Sequence, residues 1–315
     1  MSNNITNKYT SNILLSSLTN KYIFAIIPGM RYTKKQFEAQ YPDDDACLEA
    51  VFQARFGNVK FCPSCAAETK FYRVKKRQCY ACQWCGYQLF PLAKTIFRKT
   101  TTPLKDWFYA IYLTSVSKNG ISAKELERHL GVTYKTAWRM CKQIRLLMKP
   151  GSDMLSGIVE IDETYYGGRR HGQGVGRGTK NKVPVFGMVE RGGSVKAVIA
   201  HNLTHSTVRP LIRENVDIQT VINTDYFHLY KGLIPQMGYK HERVNHSIKE
   251  YARGDSHTNT IEGFWGQLKR SISGTYHAVS PKYLQSYVNQ FVFLYNFRDV
   301  AVGPVLLELA LKPVL

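Results

Sequence analysis

Spacing of apolar and polar positions divides the chain into a helical first half and a second half that opens in strands. RYTKKQFEAQYPDDDACLEAVFQARFG, from Arg31, reads as a helical lead-in, with Asp43, Asp44 and Asp45 favouring the start of a helix that runs through Phe52 and Phe56. In TPLKDWFYAIYLTSV, from Thr102, aromatic positions recur every three or four residues. Thr102 is placed to cap this helix and Pro103 to take its first position. SAKELERHLGVTYKTAWRMCKQIRLLM then predicts two helices. Ser122 caps the first in a capping box with Glu125, Gly131 makes the turn, and Thr133 caps a second helix that carries Tyr134, Lys135, Arg139, Lys142 and Arg145. MKPGSD, Met148 to Asp153, breaks the pattern as a linker does.

Beyond the linker the period changes to two. GIVEIDETYYGG, VPVFGMVERGG and SVKAVIAHNL predict three antiparallel strands joined through glycine-rich turns. A helix in STVRPLIREN, a strand in TVINTDYF, a helix in LYKGLIPQMG, a short strand in KHERVNHS and a helix in SHTNTIEGFWGQLKR follow, and PKYLQSYVNQFVFLYNFRDV adds a last amphipathic helix. The order β-β-β-α-β-α-β-α is that of a ribonuclease-H-like domain. The expected fold class is therefore α/β. A polar tail over 1–30 precedes a lead-in helix and cysteine-rich ribbon over 31–100. A helix-turn-helix with a basic second helix, suited to a major groove, covers 101–150, and the ribonuclease-H-like domain with its C-terminal helix covers 151–315.

Composition changes the picture in one respect. The net charge is +20, and Lys and Arg are spread along the whole chain. Such a field favours a polyanionic partner. No window approaches the roughly 20 apolar residues that a spanning helix needs, and the first residues lack the pattern of a secretory signal. The expectation is a cytoplasmic, nucleoid-associated protein without a membrane partner. Five of the seven cysteines lie between Cys62 and Cys85, as a CxxC at Cys62/Cys65 followed by Cys79, Cys82 and Cys85. Two CxxC knuckles give four thiolates in tetrahedral reach of one structural Zn²⁺. Cys82/Cys85 is the expected second pair, because Gly86 follows it and lets the backbone turn; Cys79/Cys82 is the competing pair.

Three acids stand out. Alternation in GIVEIDETYYGG sets Val159 and Ile161 against Glu160 and Asp162, and Asp225 ends the strand in TVINTDYF. On the helix from Ser256, Asn259, Glu262, Gly266 and Lys269 share one face, beside the apolar stripe of Ile261, Phe264, Trp265 and Leu268. In a ribonuclease-H-like order the first and fourth strands are neighbours and this helix packs across them, which gathers Asp162, Asp225 and Glu262. Clustered carboxylates raise one another's pKa. Two divalent ions, Mg²⁺ or Mn²⁺, resolve that conflict and support in-line displacement at phosphorus. Lys269 then faces a DNA phosphate, and Asn259 either orients Glu262 or contacts a metal-bound water. The loop GGRRHGQGVGRGTKNK brings Arg169, Arg170, Arg177 and Lys180 beside Asp162, for phosphate contact without sequence information.

From about Tyr32 to Val300 the chain resembles bacterial insertion-sequence DDE transposases with an N-terminal zinc ribbon, relatives of the Merlin elements. CPSC, CQWCGYQ, TIF at Thr95, VEIDETYYGG, NTDYFHLY, VNHSIKEYARGDSHTNTIEGFWGQLKR and GTYHAVSPKYLQSYVNQFVFLYNFR carry the resemblance. It implies binding to terminal inverted repeats, metal-dependent cleavage and strand transfer into target double-stranded DNA, and a homo-oligomer in the synaptic complex. Lys94 departs from the family's glycine before Thr-Ile-Phe. The competing expectation is a sequence-specific DNA-binding regulator with an inert third domain; a nuclease of the same fold without strand transfer is the third.

Overall fold

The computed structural model describes residues 31–167, 182–244 and 257–314. They fall into two compact units: 31–147 together with 299–314, and 148–298.

In the first unit, α1 (Lys34–Gln40) begins at a capping box between Thr33 and Gln36, and α2 (Asp44–Phe56) begins at Asp43, whose carboxylate accepts the Ala46 N–H at 2.8 Å. The acidic triplet thus caps a second helix of the lead-in and not the first. Three short antiparallel strands follow, β1 (Phe71–Arg73), β2 (Tyr80–Cys82) and β3 (Gln88–Leu89). Helix α3 (Leu104–Val116) starts one residue later than the sequence suggests: Pro103, extended in ψ at 141°, is its cap and not its first residue. α4 (Ala123–Leu130) is capped by the Ser122 hydroxyl, which accepts the Glu125 N–H at 3.1 Å, and ends at Gly131; α5 (Tyr134–Leu147) follows and packs against it. The last helix, α10 (Val302–Leu311), is apolar on most sides and packs on α2, α3 and α5.

The second unit is built on a five-stranded sheet. β4 (Ile158–Tyr166), β5 (Val183–Glu190) and β6 (Val195–Ile199) form an antiparallel set, and β7 (Val221–Asp225) and β8 (Lys240–Val244) continue it in parallel on the other side of β4, giving the order β6-β5-β4-β7-β8. The parallel steps require crossovers, which α6 (His205–Asn215) and α7 (His228–Gln236) supply. Both helices bury Val208, Ile212, Leu229, Tyr230 and Leu233 against Val159, Ile161, Phe186 and Ile222 on one sheet face. α8 (Asn259–Ser271) and α9 (Pro281–Asn296) cover the other, packing Ile261, Phe264, Trp265, Leu284 and Val288 on Val185, Val189 and Val195. Asn296 bonds both the N–H and the carbonyl of Val195, at 2.8 and 3.0 Å, and Gln285 accepts the Ile199 N–H at 2.7 Å. Side chains of α9 thereby blunt the exposed edge of β6, which would otherwise offer unpaired backbone groups.

Candidate active site

In the first unit, each cysteine knuckle folds around backbone N–H groups aimed at sulfur. Ser64 N–H donates to Cys62 Sγ and Trp84 N–H to Cys82 Sγ, both at 3.4 Å. The residue after each second cysteine, Ala66 and Gly86, takes a positive φ of 55° and 71°, which lets the chain reverse. The sulfurs of Cys62, Cys65, Cys82 and Cys85 all lie within 4.8 Å of one another. Cys79 stands aside, buried, with its thiol toward Gln88 Oε1 at 3.6 Å. Soft sulfur donors in a group of four suit Zn²⁺.

In the second unit the register decides which acids meet. β4 and β7 pair in parallel with Glu160 beside Asn223 and Ile161 beside Thr224, so Asp162 and Asp225 come next on adjacent strands and face α8. Asp162 accepts from Trp265 Nε1 at 3.1 Å. Trp265 reaches it only because the residue across from Asp162 on β5 is Gly187: a Cβ there would lie 2.4 Å from the indole ring. Asp225 accepts the Phe227 N–H at 2.9 Å and so also shapes the turn into α7. Glu262 is exposed in the first turn of α8, where it accepts from the Thr258 hydroxyl at 3.1 Å. Burial, reinforced by the charges of Glu163, Asp225 and Glu262, pushes the Asp162 carboxyl up to about 7. Among the described residues, no carboxylate group converges as the four sulfurs do; the three acids share a face with their oxygens further apart. Hard oxygen donors that repel one another fit a hard divalent cation.

Lys269 is exposed on the same side of α8, two turns beyond Glu262, and Asn259 is exposed at the first helical position. Glu163 points to the opposite sheet face, where it is buried and accepts from Tyr230 Oη at 2.8 Å. Of the residues expected to meet DNA, Tyr134 and Lys135 are exposed at the start of α5. Arg139, half-buried, stacks over Trp107 and donates to the Arg98 carbonyl at 3.0 Å. Arg169, Arg170, Arg177 and Lys180 lie outside the described residues. One participant that alternation alone did not single out is Glu160: the period of two set it on the Asp162 face, but only packing made it a fully buried carboxylate beneath α8. No described helix is long and apolar enough to cross a membrane.

Residues 154–296 match the model of the ISXO2-like transposase domain, and residues 42–88 match the transposase zinc-ribbon domain. An uncharacterized protein in transposable element ISH50 of Halobacterium salinarum is 33% identical over 258 residues, covering 76% of this chain and 86% of its own. An uncharacterized transposase-like protein of Haemophilus influenzae is 26% identical over 106 residues, 34% of this chain and 84% of its own. A simian T-cell lymphotropic virus intasome, solved in complex with PP2A regulatory subunit B56 gamma, aligns over 62% of this chain and 67% of its own at 16% identity with a TM-score of 0.29, which carries no argument. The extent of the Halobacterium match, with the zinc-ribbon match preceding the transposase-domain match along this chain, establishes that the chain belongs to the insertion-sequence transposases that carry an N-terminal zinc ribbon.

Proposed function

We propose that this transposase binds the terminal repeats of its element and performs divalent-metal-dependent DNA cleavage and strand transfer with Asp162, Asp225 and Glu262. One observation carries the reading: Asp162, next to Asp225 across two parallel strands, has its carboxyl pushed up to about 7 by burial and by surrounding acids that include Asp225 and Glu262. Such crowding destabilises a fold unless a cation uses it. Asp162, Asp225 and Glu262 would hold Mg²⁺ or Mn²⁺, which when bound would activate the attacking oxygen and stabilise the leaving one. Trp265 fixes the Asp162 carboxylate, and Lys269 binds a phosphate along the same helix face and positions the strand. The strand order β6-β5-β4-β7-β8, with helices on both faces, supports a ribonuclease-H-like reading of the second unit. The pair α4–α5, with Tyr134 and Lys135 exposed at the start of α5, supports a helix-turn-helix that contacts the element ends, alongside a ribbon holding structural Zn²⁺.

The test incubates the zinc-loaded protein with DNA carrying the element ends and Mg²⁺, and maps nicked and joined products. Ala in place of Asp162, Asp225 or Glu262 should abolish both steps while end binding persists. Full cleavage by the Glu262→Ala protein refutes the ligand set, and loss of cleavage in Asn259→Ala alone moves the third ligand to Asn259.

A further inference from the structure

The first turn of α8 leaves N–H groups that no helical carbonyl can accept, and its N-cap, Thr258, supplies no side-chain cap. Thr258 instead donates its hydroxyl to Glu262. The missing cap comes from another element. Glu160, on β4 and 0% exposed, accepts the backbone N–H groups of Thr260 and Ile261 on Oε2, at 2.8 and 3.0 Å. Its Oε1 accepts from the Thr260 hydroxyl at 2.9 Å and from Arg191 Nε at 2.7 Å, and faces His257 Nδ1 at 3.1 Å. Arg191 also donates to the His257 carbonyl at 2.8 Å, tying the chain that enters α8 to the same point. A carboxylate buried this completely persists only when its lone pairs are met and a cation stands beside it, and both conditions hold here. The dipole of α8 adds to the attraction.

We infer that Glu160 is a positioning residue, which anchors the first turn of α8 on β4 and thereby fixes Glu262 relative to Asp162. The geometry is short and rigid. Glu160 and Asp162 are two residues apart on one strand and share a face, while Ile261, whose N–H Glu160 holds, directly precedes Glu262. The strand that supplies one acid therefore also clamps the helix that supplies another. The consequence for metal binding rests on the reading of Asp162, Asp225 and Glu262 as ligands; the clamp itself does not.

Two measurements on the full-length, zinc-loaded protein separate these. Amide exchange without added divalent ion reads the clamp directly. Glu160→Gln keeps the shape but removes the charge and turns an amide NH2 either onto the Thr260 and Ile261 N–H groups or against Arg191 Nε, donor against donor in both cases, so Thr260 and Ile261 should lose roughly tenfold or more of their protection while the β4 and β5 amides keep theirs. Unchanged protection at Thr260 and Ile261 overturns the inference, whatever the metal does. Mn²⁺ titration then reads the consequence. Glu160→Gln should weaken binding roughly 10- to 100-fold, the range usual for a residue that orients a metal ligand, and should weaken it no further in a Glu262→Ala background. An equal fall in both backgrounds overturns action through Glu262, because it marks a general loss of structure. If Glu262→Ala binds Mn²⁺ like the parent, the ligand reading fails, and amide exchange alone upholds or overturns the clamp. Should Glu160→Gln lose protection throughout β4 and β5, Glu160→Asp takes its place: it keeps the charge but withdraws the acceptor oxygens by one methylene from the Thr260 and Ile261 N–H groups, and its exchange and titration are judged by the same outcomes.

Discussion

Asp162→Asn should remove catalysis and yet stabilise the divalent-free protein at neutral pH. In the folded chain, burial and the neighbouring acids hold the Asp162 carboxyl at about 7, against an ordinary value of 3.8. A raised carboxyl favours its protonated form in the folded state, so its stabilising contribution is full below about pH 4 and is lost as pH climbs to about 7. Between pH 5 and pH 8 that loss spans two units, worth about 2–3 kcal/mol at 1.36 kcal/mol per unit. Asn has no such slope, and its carbonyl still accepts from Trp265 Nε1. Urea unfolding at both pH values, with pulse-labelled β4 and β5 amides reporting the second unit, measures the slope in each protein. The parent should lose about 2–3 kcal/mol more than the variant between pH 5 and pH 8. Contributions from titrating groups distant from Asp162 cancel in this comparison. Mg²⁺ should stabilise the parent and leave the variant nearly unchanged, since only a ligand that prefers the folded state shifts the balance. Equal pH slopes in the two proteins refute the electrostatic account of the site.

Gly187→Ala places a Cβ 2.4 Å from the Trp265 ring and should cost about 1–3 kcal/mol by overpacking, with the Trp265 indole N–H resonance shifted as its bond to Asp162 is displaced. Lys94, which departs from the expected glycine, has a positive φ of 62°; Lys94→Gly should raise the unfolding midpoint of the first unit by relieving about 1 kcal/mol of backbone strain, and a lowered midpoint contradicts this. Chelation of zinc should melt the ribbon, and Cys85→Ser should lose the metal while Cys79→Ser retains it, as measured by elemental analysis.

Local rules made much of this protein legible in its sequence. A period of two separated Asp162 and Glu160 from Ile161, the CxxC spacing marked the knuckles, and Gly86 pointed to Cys85, because each of these depends on a few consecutive residues. The helical repeat likewise set Glu262 and Lys269 on one side of α8. Tertiary structure decided what those rules cannot reach. Glu160 became a buried clamp because α8, a hundred residues later in the chain, lays its first turn over β4. Glu163, next to Asp162, became a buried partner of Tyr230 through the packing of α7 on the opposite face. Arg139, basic and on a helix that sequence alone offers to DNA, was brought over the Trp107 ring, and the last helix joined the first unit through its apolar surface. Sequence fixes which way a side chain leaves its own strand or helix, since that follows from backbone geometry; what meets it there depends on long-range packing, which only the folded chain supplies.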